Sequence, residues 1–215
     1  MAGDAAAIHD RSAGGGAGPA GGRAELPAPQ PLDSSGLAAA GVAPEDRPVV
    51  QAILDVYNRS NGMNFLALTA LVTAPAGAPA AYPHPPPLAP WPELPPLLEQ
   101  PEIKLATWDL LLAVNGFGAT PGESGLATLW RHLAPWPGLL EVIRDGLDPR
   151  QRDGAIGQVM EIAAVEGARL AHHRPKPLEL PPEARTMIAN YVTNPGLVAR
   201  MVTLGHGLAG WLGSA

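Results

Sequence analysis

The chain has 215 residues, and its 25 Gly and 26 Pro make up about 24% of it, twice the usual share of about 12%. A 46% hydrophobic content is nonetheless that of a globular protein, so folded and low-complexity stretches are mixed. Zero cysteine excludes disulfides, thiolate zinc sites, iron–sulfur clusters and cysteine nucleophiles, and a net charge of −6 with a pI near 5.4 leaves no electrostatic footprint for nucleic acid or an anionic membrane surface.

Residues 1–10 lack the cationic region and apolar run of a secretory signal, which predicts a cytoplasmic protein. Residues 1–44 carry Gly14-Gly15-Gly16, Gly21-Gly22 and a Pro-Ala-Pro-Gln-Pro tract, with only Ile8, Leu26, Leu32, Leu37 and Val42 as larger aliphatics. So little apolar area does not offset roughly 1–2 kcal/mol of backbone entropy per ordered residue, and 1–44 is expected to be disordered. Residues 45–215 are expected to form one helical domain, interrupted at 75–101 by eleven prolines that favour polyproline II over helix. Setting both stretches aside leaves 144 residues, enough for one core.

Every periodic signal in that remainder is helical, which predicts an all-α domain, a multi-helix orthogonal or bundle arrangement of about seven helices. Residues 47–58 space Val50, Ile53, Leu54 and Tyr57 by three and four, and Asn61-Gly62 is expected to stop the helix. A shorter helix follows over 63–72. Residues 102–114 carry the next, closed by Asn115-Gly116. Thr120-Pro121-Gly122-Glu123 has the pattern of a capping box opening a helix to Ala134, before Pro135. Residues 138–147 form another, and Asp148-Pro149 is read as the start of the longest, 149–173, with a small-residue surface at Gly154, Gly157, Ala163, Ala164, Gly167, Ala168 and Ala171. Residues 183–192 form a further helix, and Asn194-Pro195 caps a last one weakened by Gly205, Gly207 and Gly210. The apolar stretch 196–211, interrupted by Arg200 and His206, falls short of the roughly 20 residues of a bilayer span.

Few polar groups offer chemistry. His172 and His173 are adjacent on a helix, point about 100° apart and cannot chelate one ion, so they are read as residues placed at the negative end of the helix dipole, and no metal is expected. No His-Glu-x-x-His, phosphate loop or nucleophile elbow is present. Two clusters are denser. Tyr57, Asn58, Arg59, Ser60, Asn61 and Asn64 crowd a corner that needs one capping residue; the plainer reading is Asn as caps beside an exposed Arg. Around 129–140, Arg131 lies between Trp130 and Trp136, where a guanidinium could clamp a small carboxylate against apolar walls; the plainer reading has Arg131 capping carbonyls and both Trp in the core. Glu123 and Asp145 read as a cap and a solvated residue, so neither cluster has a general base.

The segment Arg131-His132-Leu133-Ala134-Pro135-Trp136-Pro137-Gly138-Leu139-Leu140 and the segment Tyr57-Asn58-Arg59-Ser60-Asn61 resemble, respectively, the repeated Arg-x-Leu-Ala-x-x-Pro-x-x-Leu element and the Tyr-Asn-Arg-x-Asn turn of the group I halocarboxylic acid dehalogenases. The similarity spans about residues 48–173. It implies an all-α fold and hydrolysis of a 2-haloacid by Asp-activated water, without metal or organic cofactor, while Arg, Asn or backbone groups hold the substrate carboxylate. Two departures stand out. Leu129 occupies the position of the activating Asp, and the family's first half is replaced by the Gly/Ala/Pro-rich amino terminus.

Two readings follow. One is a hydrolase acting on carbon–halide bonds of small 2-substituted acids, with Arg131 as carboxylate anchor, Trp130 and Trp136 as apolar wall, Tyr57 in the same pocket, Asn61 and Asn64 positioning water, and no base assigned. The other is a non-catalytic helical module that binds a small carboxylic acid or forms a homodimer through the 154–167 face. A regulator working through the proline tract is a third, weaker reading, because 144 residues share a coherent core pattern.

Overall fold

The computed structural model describes Leu26 and residues 32–73, 90–123, 125–171, 179–193 and 195–212. All regular structure among these residues is helical: α1 (Ser34–Ala39), α2 (Arg47–Val72), α3 (Leu105–Asn115), α4 (Thr128–His132), α5 (Pro137–Arg152), α6 (Ala155–Ala171), α7 (Pro182–Thr193) and α8 (Arg200–Leu212). A 3-10 turn (Gln100–Glu102) leads toward α3, and a π turn (Pro195–Ala199) runs directly into α8. The all-α expectation holds. No described helix is long and apolar enough to cross a membrane.

The spine is α2, whose 26 residues span about 39 Å at 1.5 Å per residue. It packs against α8, α6 and α7, while α3 packs against α5 and α5 against α6. Two cores result. The larger joins Val50, Ile53 and Leu54 to Leu111, Trp130, Leu140, Ile143, Ile156, Leu204 and Trp211, and a smaller one gathers Phe65, Val192 and Val198 beyond it.

Several expected boundaries are corrected. The Asn61-Gly62 stop does not occur, because Gly62 is not among the left-handed glycines and α2 buries residues on both sides of it, from Val50 to Thr69. Packing of both halves outweighs the roughly 1 kcal/mol that an interior Gly costs relative to Ala. The part of the 1–44 expectation that falls on 1–25 and 27–31 lies outside the described residues. From 32 to 44, however, the chain is ordered: Asp33 caps α1 by accepting from Gly36 N at 2.8 Å, Arg47 donates to Ser34 Oγ and O, both at 2.8 Å, and Leu37 and Val42 enter the larger core. Ala40 is buried with them, Leu32 packs on the same core, and Leu32 N donates to the Trp211 carbonyl at 3.3 Å.

Thr120 to Glu123 makes a turn, with Glu123 N donating to Thr120 O at 3.1 Å, but no helix opens there. Gly122 takes a φ of 86°, and the helix expected to reach Ala134 shrinks to the five residues of α4. Pro149 lies inside α5 rather than at a helix start; the break comes at Gly154, whose φ of 81° suits a residue without Cβ. Gly205, Gly207 and Gly210 sit within a continuous α8. A Cβ on Gly205 would stand 2.2 Å from Asn58 Oδ1, and one on Gly207 would stand 3.2 Å from a Leu26 methyl. Those two glycines therefore admit close neighbours. Of the small-residue face of α6, Gly167 is used within the chain, since a Cβ there would lie 2.3 Å from the Phe65 ring.

Candidate functional site

The segment 90–99 runs without regular structure across the surface near α2 and α4. Four of its ten residues are Pro, which cannot donate to a backbone ladder. It is fastened by side chains instead. Leu94 and Leu98 pack on the larger core, the Arg59 guanidinium lies 4.3 Å from the Trp91 ring centroid, and α4 supplies two polar anchors at Arg131 and His132.

His132 bridges three elements. Its Nε2 lies 3.1 Å from the Pro95 carbonyl and its Nδ1 lies 2.7 Å from the Tyr57 hydroxyl. A carbonyl only accepts, so this network assigns the proton to Nε2, and the Tyr57 hydroxyl donates to Nδ1. Burial lowers the His132 pKa from its usual 6.5; the Pro95 carbonyl opposes this and the Arg131 charge adds to it. Burial likewise raises that of Tyr57, against a Thr128 hydrogen bond and the Arg131 charge. Both shifts favour the neutral forms, and both side chains are held in place by hydrogen bonds.

Arg131 Nε donates to the Leu98 carbonyl at 3.2 Å, and Nη2 donates to the same oxygen. Nη2 also lies 3.3 Å from Glu99 Oε2, with 20% of the Arg131 side chain and 75% of the Glu99 side chain exposed. The guanidinium thus grips a carbonyl and a carboxylate of its own chain. It caps no carbonyl at the Pro135 break, as the plainer reading had it; its acceptors lie 32 and 33 residues upstream.

The other expected residues do not join this fork. Trp130 is 0% exposed, and its indole Nε1 is buried without a hydrogen-bond partner among the described residues. Trp136 is 8% exposed and donates to Asp46 Oδ2 at 3.0 Å, pinning the start of α5 to that of α2. Both are core residues, so the expected aromatic wall is corrected. Burial of their large apolar area is worth more than exposing it to a small solute. Tyr57 does meet α4 through His132. Asn61 and Asn64 share its stripe but sit about 6 and 10 Å farther along the axis, Asn61 half-buried and Asn64 exposed, and neither is a hydrogen-bond partner of Arg131 or His132. The helical corner expected to gather them is absent because α2 is continuous. His172 and His173 lie outside the described residues.

Three polar residues take roles that the sequence reading did not assign to them. Asn58, 7% exposed, donates to the Gly205 carbonyl at 3.0 Å and joins α2 to α8. Arg200 pairs with Glu123 while donating to the Asn115 carbonyl at 2.9 Å. Asn115 in turn holds the start of α4, accepting from Ala127 N at 3.1 Å and donating to Gly125 O at 2.9 Å. The visible signal for Arg200 was a lone charge inside an apolar helix, which requires a partner.

An open groove of ≈ 580 Å³ lies elsewhere, lined by Leu37, Val42, Arg47, Val50, Gln51 and Leu212 among others, and includes none of the expected site residues. Comparison with known proteins returns no matching family model, curated protein or solved structure.

Proposed function

We propose that the chain is a non-catalytic helical module that binds a small carboxylic acid at Arg131. The observation that carries this reading is the fork itself: Nε and Nη2 of Arg131 present two donors to one edge, and a carboxylate oxygen of Glu99 already stands 3.3 Å from Nη2. That is the donor pattern with which Arg grips carboxylates. The neighbouring Tyr57–His132 pair adds two neutral hydrogen-bonding groups beside it.

Two observations weigh against hydrolysis of 2-haloacids. Leu129, at the position of the family's activating Asp, is 1% exposed within the core, and Trp130 and Trp136 are buried instead of walling a pocket. The test is titration with racemic 2-chloropropionate, followed by amide and arginine side-chain NMR together with a free-halide assay. Saturable shifts at Arg131, their loss in Arg131→Gln, and no halide release are expected. Protein-dependent halide release would replace this reading with the hydrolase, and absence of saturable binding would overturn it.

A further inference from the structure

We propose that residues 90–99 are an internal competitor for the Arg131 site, so that a small carboxylate enters by exchanging with the Leu98 carbonyl and the Glu99 carboxylate. This rests on the carboxylate-binding reading above and adds its regulation. Both acceptors on the Arg131 fork come from consecutive residues of one segment. Residues 90–98 are removable without dismantling a helix or a ladder, whereas Glu99 caps the 3-10 turn, donating from N to Glu102 Oε2 at 2.6 Å and accepting from Glu102 N at 2.9 Å. Among the described residues, the backbone of 90–98 makes no hydrogen bond to another backbone group, and its carbonyl contacts are to side chains, Pro95 to His132 and Leu98 to Arg131.

The energetics of the exchange favour a poised contact. The Glu99 side chain is 75% exposed, so its attraction to Arg131 is screened by water and salt, as for any surface pair. An incoming carboxylate regains a charge-assisted, two-oxygen contact where the chain now provides one neutral carbonyl and one loosely held carboxylate oxygen. Leu94 and Leu98 hold the segment down by apolar burial, and the Arg59–Trp91 stack holds its start. Displacement is therefore local to the Leu98–Glu99 peptide, whose rotation turns the Leu98 carbonyl away and releases Glu99 N from Glu102 Oε2, and to the exposed Glu99 side chain, while the Leu94 and Leu98 side chains stay packed.

The exchange is tested by titrating the full chain and its Glu99→Gln variant with racemic 2-chloropropionate while following the amides of Leu94, Leu97, Leu98 and Glu99. Removing the competing charge is expected to tighten binding by up to about fivefold, the ceiling for a surface ion pair. The Leu97 to Glu99 amides should shift and exchange faster in the bound state, while Leu94 moves less. Equal affinity in the two proteins with unmoved 97–99 amides would overturn the competitor while leaving carboxylate binding intact. Binding to neither would overturn both. Arg131→Lys, which keeps the charge but not the fork, serves as a folded control and should bind weakly.

Discussion

Glu123→Gln measures the charge buried between α8 and the loop that precedes α4. The Arg200 side chain is 3% exposed and that of Glu123 is 9%, so little solvent screens the pair. Burial pushes the Arg200 pKa down and Glu123 opposes it, yet a guanidinium does not give up its proton at working pH. The Gln amide keeps the shape and one acceptor oxygen but removes the countercharge. Breaking a buried pair from one side costs about 3–5 kcal/mol. The lower end applies here, about 3 kcal/mol, because the Asn115 carbonyl remains as an acceptor for Nη1. Against a total stability of about 5–15 kcal/mol, that is a large fraction. The double variant Arg200→Met/Glu123→Leu removes both charges and should recover most of the loss, since apolar replacement of a whole buried pair is often neutral or stabilising. Urea unfolding followed by circular dichroism reads Glu123→Gln and, separately, the cycle of parent, Arg200→Met, Glu123→Leu and the double variant, for which a coupling of about 2 kcal/mol or more is expected. A Glu123→Gln loss below about 1 kcal/mol at unchanged m-value, or a double variant as unstable as the sum of the singles, would refute the buried, mutually dependent pair.

Gly62→Ala should stabilise the chain by about 0.5–1 kcal/mol, because Gly62 is right-handed within α2 and an added Cβ meets nothing within 4 Å; a loss in thermal or urea stability would restore the helix break once expected at Asn61-Gly62. Gly205→Ala should instead cost about 1–3 kcal/mol despite the better helix propensity of Ala, because its Cβ would fall 2.2 Å from Asn58 Oδ1, and unfolding curves matching the parent would refute that contact. The His132 pKa is lowered on folding, so the unfolded chain binds the proton more readily. Its contribution is complete above the unfolded value near 6.5 and is lost as pH falls through that value toward the folded one. Stability measured between pH 8 and pH 5 should fall less in His132→Gln than in the parent, and equal slopes would rule out that role.

The legible part of this fold is the part governed by spacing. Val50, Ile53, Leu54 and Tyr57 recur at helical intervals, and α2, α3 and α7 begin or end close to where their apolar and Pro or Gly residues place them. The misread part is punctuation. Asn61-Gly62, Asp148-Pro149 and Thr120 to Glu123 all carry stop or start chemistry, yet each signal is worth only about 1 kcal/mol for a cap or a Gly and about 3 for an interior Pro. Burial of Phe65 and Thr69 beyond Gly62, or of Ile143 and Leu147 ahead of Pro149, is of the same size or larger. The break at Gly154 follows a different logic, because it relieves a backbone turn with positive φ that no neighbouring packing can replace.

The site resisted reading for a related reason. That Trp130 and Trp136 are large and apolar was evident in the sequence, and the same property that suggested a ligand wall places both in the core, since nothing in their spacing distinguishes a wall from a core. Tyr57 and His132 are 75 residues apart, and Arg131 is 33 from the carbonyl it holds; no local pattern specifies which distant backbone oxygen will arrive beside a guanidinium. What the composition did contain was the material for such an arrangement. Prolines at 90, 92, 95 and 96 leave a segment unable to donate from four positions, so its carbonyls are free for side chains on a neighbouring helix. Arg131 and His132, side by side at the end of α4, are the donors that take them. The Gly and Pro excess therefore serves the site as well as the chain's punctuation, because an ordinary helical segment across α4 would have satisfied its own carbonyls and left Arg131 with no internal acceptor to exchange.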